Sequence, residues 1–130
     1  MSTRLQSAAI SAARVMMALI FILSGLSKIG APEATRGYME AMHLPGALLW
    51  PTIVFEIGSG ALIVLGYRTR IVALLLAGFS LLTAAVFHHQ FADQIQMIMF
   101  LKNIAIAGGF LLLASVGAGG LSLDAKKAIA

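Results

Sequence analysis

Four stretches of roughly 20 almost uninterrupted apolar residues dominate this chain, at positions 8–27, 47–66, 71–89 and 97–116. Each is long enough to cross the hydrocarbon core of a bilayer as a helix. None shows the period-two alternation of an outer-membrane barrel strand. Hydrocarbon offers no partner to a free backbone amide, so such segments must span as helices. They place about 80 of the 130 residues in the membrane, which leaves room for a single membrane domain over residues 1–130. Composition agrees, with 60% of residues apolar and 11% charged, against about 45–50% and about 25% in soluble domains. A mean hydropathy of +0.96 excludes a disordered chain and a soluble enzyme. The expected fold is an all-α membrane protein, a four-transmembrane-helix bundle.

Several chemistries drop out at once. With no cysteine there is no disulfide framework, thiolate metal site, iron–sulfur cluster or CxxC redox pair. The net charge of +4 comes from basic residues scattered among apolar runs, which form no nucleic-acid-binding stripe. No Ser–His–Asp set, phosphate-cradling loop or paired-carboxylate metal motif is present. His88 and His89 are neighbours and point about 100° apart on a helix, so they cannot chelate one metal, and His43 lies in a loop. No metal or haem centre is expected. The seven methionines read as packing.

The basic residues of the short loops set an orientation. Arg4, Arg68, Arg70, Lys126 and Lys127 flank one side of the bundle, and only Lys28 and Arg36 flank the other, where Glu33, Glu40 and Asp93 outnumber them. Both termini are therefore expected in the cytoplasm. The length of the first span and the Arg14 within it favour a retained helix over a cleaved signal peptide. In the first outer loop, Pro32 and Glu33 suit a helix start and Leu44-Pro45-Gly46 a stop. Glu33, Arg36, Glu40 and His43 share one stripe, and Ala34, Tyr38, Ala41 and Met42 lie towards the other side. This predicts a short amphipathic helix on the outer surface, either a plain connector or a lid over a site below. Trp50 falls where interfacial aromatics sit.

The informative residues are polar groups inside the spans: Arg14 in the first, Glu56 in the second, His88 closing the third, and Lys102 with Asn103 in the fourth. A charge at the bilayer centre costs at least about 2.5–3.5 kcal/mol on insertion scales, so such groups normally turn inward and find partners. By helical rise, Arg14 and Lys102 each lie roughly 6 Å in height from Glu56. The expected arrangement is a buried Arg14–Glu56–Lys102 cluster. One stripe of the first span carries Arg14, Ala18, Phe21, Gly25 and Lys28, and Gly58, Gly60, Ala105 and Gly109 supply small surfaces for close helix approach. Two cations and one carboxylate leave an excess positive charge, which an electronegative partner such as a quinone carbonyl or a lipid phosphate would offset. The competing reading is that the ionic groups only fix helix register; passage of protons or ions is a third.

The order of these motifs resembles the DoxX family of small bacterial inner-membrane proteins, especially short members named as quinol oxidase subunits. The resemblance runs from Arg14 through Leu23-Ser24-Gly25-Leu26-Ser27-Lys28-Ile29, Phe55-Glu56-Ile57-Gly58-Ser59-Gly60 and Leu65-Gly66-Tyr67-Arg68-Thr69-Arg70. It continues through Phe87-His88, Phe100-Leu101-Lys102-Asn103-Ile104-Ala105 and the Gly117–Asp124 tail. It implies a multi-pass protein of the bacterial inner membrane in a redox setting, and it highlights Arg14, Lys28, Glu56, His88, Lys102 and Asn103 as ligand-binding or polar-cluster residues. The implied partners are the bilayer and either subunits of a membrane redox complex or a second copy of the chain. The one cofactor implied is a bound quinone. Three functions stand open on this basis. The first is an accessory subunit of a quinone-linked oxidoreductase, rather than an enzyme acting alone, because the chain has no evident electron carrier. The second is a non-catalytic scaffold, and the third a carrier for a small amphiphile.

Overall fold

A computed structural model describes residues 2–129. Helix α1 (Thr3–Gly30) starts where the Ser2 hydroxyl accepts the Leu5 amide, and its 28 residues exceed the thickness of the hydrocarbon core. Pro32, which needs no amide partner in a first turn, then opens α2 (Pro32–Ala41). A left-handed His43 (φ +66°) turns the chain back through a 3-10 turn at Gly46–Leu48 into α3 (Leu49–Leu65). Gly66 ends α3 at φ +70°, a conformation cheap only for glycine. Helix α4 (Thr69–Phe87) returns, α5 (Gln94–Val116) starts on an Asp93 cap and descends, and a short α6 (Leu123–Ile129) folds back across the end. The spans lie where the apolar runs put them, with α1 running past its predicted limits at both ends.

The spans run alternately up and down and associate as two antiparallel pairs, α1 with α3 and α4 with α5. In the first pair, a Cβ on Gly25 would collide with Ile57 and one on Gly60 with Ile22, so glycine lets the backbones close up. Gly109 meets Met17 from the other pair. Gly58 and Ala105 instead face outward. The pairs join through Ala18, Phe21, Ile63, Leu76, Ala77, Ala107 and Phe110. There Phe21 stands edge-on to Phe110 at 5.6 Å and tilts against Phe79 at 6.2 Å between centroids. Large apolar side chains cover the outer faces, where lipid is their solvent.

Helix α2 forms as expected, its most buried side set slightly round from the predicted apolar face. Met39 is its buried residue, held by Leu49 and Ile53 at the start of α3, with Thr35 and Met42 half-buried beside it. Ala41 is exposed, whereas Ala34 and Tyr38 keep much of their surface free but line the cavity beneath. The seat offered by α3 decides the rotation, and a ten-residue helix follows it.

Candidate functional site

Below α2 the two pairs diverge and enclose a cavity of about 670 Å³, within the range of small-molecule sites. The α1–α3 wall is charged. Lys28 Nζ lies 2.7 Å from Glu56 Oε1 and donates to Ser24 Oγ at 2.7 Å. The Glu56 side chain is 4% exposed and that of Lys28 23%, so a buried carboxylate is matched by a cation that still meets the cavity. The opposite wall, from α4 and α5, is neutral. Asn103 Nδ2 donates to the Ser80 carbonyl at 3.2 Å and to Thr83 Oγ1 at 3.1 Å. The Ser80 hydroxyl is buried and has no hydrogen-bond partner among the described residues. His88 Nδ1 lies 3.3 Å from Gln96 Oε1 at the upper rim. Phe21, Phe79 and Ile106 close the bottom, and α2 roofs the top, where Tyr38 stacks on Phe87 with centroids 5.4 Å apart. Ile20 and Leu82 line the cavity yet are 52% and 62% exposed on the outer helix faces, so the cavity opens sideways at membrane depth.

The structure thus brings together Lys28, Glu56, His88 and Asn103 of the predicted site residues, and separates Arg14 and Lys102 from them. The expected Arg14–Glu56–Lys102 cluster does not form. Arg14 is buried at the opposite end, where its guanidinium donates to the carbonyls of Ile63 (3.1 Å), Val64 (3.0 Å) and Leu121, and to Ser11 Oγ (3.0 Å). It satisfies the free carbonyls at the end of α3, where a cation also suits the helix dipole. Lys102 is exposed on the outer face of α5, with no ion-pair partner among the described residues. The excess positive charge inferred from that cluster goes with it: Lys28 and Glu56 cancel. Sequence reasoning missed Ser24, Ser80 and Thr83 as cavity residues, because a lone hydroxyl in an apolar span carries no signal of which way it faces.

The terminal end is clasped instead of open. Asp124 accepts the Arg68 amide at 2.8 Å and the Thr69 amide at 2.9 Å, so a tail residue caps α4. Arg70 donates to the carbonyls of Ala114 (2.9 Å) and Ser115 (2.6 Å) at the end of α5. Partial burial pushes the Asp124 carboxyl up, but the Thr69 and Arg68 hydrogen bonds and the Lys127 charge outweigh it and hold the group below its usual range. Lys127 Nζ bonds Tyr67 Oη at 3.2 Å and lies 4.7 Å from the ring centre. That bond, with the Arg68 and Lys127 charges, lowers the Tyr67 hydroxyl.

Fold and site together define a small four-helix membrane protein with a roofed, ion-paired cavity between two helix pairs. The chain belongs to the DoxX family, which it matches over residues 9–89. The inner membrane protein YqjF of Escherichia coli (strain K12) is 46% identical over 121 residues, covering 93% of each chain. The inner membrane protein YphA of the same organism is 40% identical over 88% of this chain and 86% of its own. CatD of Bacillus subtilis (strain 168), named as a candidate oxidoreductase, is 34% identical over 64 residues, 49% of this chain and 48% of its own. No solved structure matches the chain.

Proposed function

We propose that this chain is an inner-membrane subunit of a quinone-linked oxidoreductase and that the cavity below α2 takes the quinone headgroup. The observation that carries this reading is one buried ion pair, Lys28–Glu56, facing a neutral hydrogen-bonding wall across an apolar cavity open to lipid. A cavity of zero net charge suits a neutral ring with polar oxygens better than an anion. Its side opening suits a molecule that travels in the bilayer. The donors fit the group: Lys28 Nζ on one wall, and on the other the unpartnered Ser80 hydroxyl, beside the wall that Asn103 holds together through Thr83 and the Ser80 carbonyl. When bound, a quinone supplies reversible two-electron, two-proton chemistry. Lys28 pairs with Glu56 and fixes its position, Glu56 is the group that would exchange protons with the ring oxygens, and His88 stands at the rim on the α2 side. Electrons must reach the site from another subunit, because none of these side chains carries them.

Support from relatives is coarser. Two are named as inner membrane proteins and one as a candidate oxidoreductase. With the loop charges placing both termini in the cytoplasm, the α2 roof and the cavity mouth belong on the outer side of that membrane.

The test is gentle extraction from native membrane, then mass spectrometry of copurified lipid-soluble molecules and equilibrium binding of a short-tailed quinone. Wild type should retain near-stoichiometric quinone. A folded Glu56→Gln variant, which breaks the ion pair, should lose affinity by about tenfold or more, and a folded Ser80→Ala variant by about fivefold, the scale of one neutral hydrogen bond. Absence of quinone from wild type, or equal retention by the variants, overturns the reading.

A further inference from the structure

A second cleft lies at the other end of the molecule, between the start of α4 and the end of α5. Its volume is about 590 Å³, and its lining changes character along its length. Towards the bilayer it is bounded by Ile71 and Val116, which are 56% and 51% exposed. Towards the aqueous side it is bounded by Arg68, Arg70 and Lys127. The single carboxylate there, Asp124, is taken up by the Arg68 and Thr69 amides. Among the described residues, none of the three cations has a carboxylate within ion-pair distance. Three cations and one carboxylate leave the cleft with two net positive charges at the level where the helices leave the membrane.

Backbone features keep it open. Gly117 and Gly119 both adopt positive φ (+84° and +81°), and a Cβ on Gly117 would come within 3.0 Å of the Arg70 guanidinium. Arg68 itself sits at φ +51°, a left-handed position where glycine or asparagine is cheaper. Observed strain of this kind points to use of the side chain.

We propose that this cleft binds the headgroup phosphate of an anionic phospholipid. The phosphodiester lies against Arg68, Arg70 and Lys127, and the acyl chains run down over Ile71 and Val116. Bidentate guanidinium contacts suit phosphate oxygens, and basic pockets at helix ends are a recognised geometry for acidic lipids. The apolar lower lip distinguishes a lipid from free phosphate, which would gain nothing from it. This site is independent of the cavity below α2.

The test uses the full chain in phosphatidylcholine nanodiscs, titrated with phosphatidylglycerol and read by native mass spectrometry. One retained acidic lipid per chain is expected. Arg68→Gln combined with Lys127→Gln should weaken retention by about 30-fold, the sum for two surface cations. Arg4→Gln, which removes a cation from the same end but outside the cleft, should change it less than about twofold. The amides that bond Asp124 remain in both variants, and thermal melting in pure phosphatidylcholine reports whether each is folded. Should the double variant unfold, Arg68→Glu alone reads the same quantity. Equal loss in Arg4→Gln, or no loss in the cleft variants, overturns the site. Competition by inorganic phosphate at equal headgroup concentration overturns the lipid assignment.

Discussion

Lys28 and Lys102 both sit on membrane helices on the α2 side of mid-depth, yet one enters the cavity and the other faces lipid. Side chains on a helix lean towards its N-terminus. On α1 that direction leads Lys28 down into the bilayer, and on α3 it leads Glu56 up, so the two converge on their 2.7 Å contact. On α5 the same rule leads Lys102 up and out towards the surface, where a long ammonium stem can keep its charge near water. Arg14 leans towards the terminal end, away from Glu56 and onto the α3 carbonyls. Depth arithmetic alone chose Arg14 and Lys102 as partners for Glu56. The lean of each side chain, also legible in the sequence once span directions are known, separates them. Lys102→Leu should therefore leave quinone affinity within about twofold and the melting temperature unchanged or higher, whereas Lys28→Met should lower affinity about tenfold, the loss expected for one charged hydrogen bond. Parallel binding titrations and melts of the two variants check this; a comparable loss from Lys102→Leu would return that residue to the site.

At the scale of elements, helix ends hold the terminal side together. Arg14 covers the end of α3, Arg70 the end of α5, and Asp124 the start of α4, so these three helix ends borrow their caps from other segments. Asp124→Ala should cost about 1 kcal/mol, the usual value of a lost cap, seen as a lower melting temperature in detergent at pH 7. The folded carboxyl titrates below its usual 3.8. Its contribution is therefore complete above that value and is lost as pH falls through the lower, folded one. The gap between wild type and variant should be constant from pH 5 to 7 and shrink below about pH 4; a gap that widens with acid refutes the cap. Gly66→Ala should cost about 1–2 kcal/mol from its left-handed φ alone, and more because the new Cβ would strike the Arg14 guanidinium and Ser122. A melt of that variant within 1 °C of wild type would contradict this packing. The spans and the α2 helix were legible from apolar run length and from Pro32 and Pro45. The inward face of α5 was not: that helix is apolar nearly all round, so Ala105 looked as fit for a helix contact as Gly109. The borrowed caps were equally hidden, because a tail aspartate gives no sign of the helix start it will reach.

Across the whole molecule these caps make the two ends unequal. The terminal end is tied by Arg14, Arg70 and Asp124 to backbone groups far away in sequence. The α2 end rests on one apolar seat around Met39, one stacked pair at Tyr38–Phe87, and a single long bond of 3.4 Å from Arg36 to the Gly46 carbonyl. Local opening free energies follow this density of buried contacts, so amide exchange in nanodiscs should be fast across residues 32–44 and slow across 66–70 and 114–124. A ligand that binds only the closed cavity stabilises it by about 2.7 kcal/mol at a hundred times its dissociation constant. Saturating quinone should then slow exchange across residues 32–44 by up to about a hundredfold, and leave the terminal end unchanged. Uniform exchange along the chain would contradict the loose roof. Fast exchange at α2 that quinone leaves unaltered would keep the roof but remove the ligand from beneath it. Under the quinone reading, a roof that opens more easily than the clasped end would admit a headgroup without unfolding the helix pairs, so entry and stability would fall to opposite ends of the bundle.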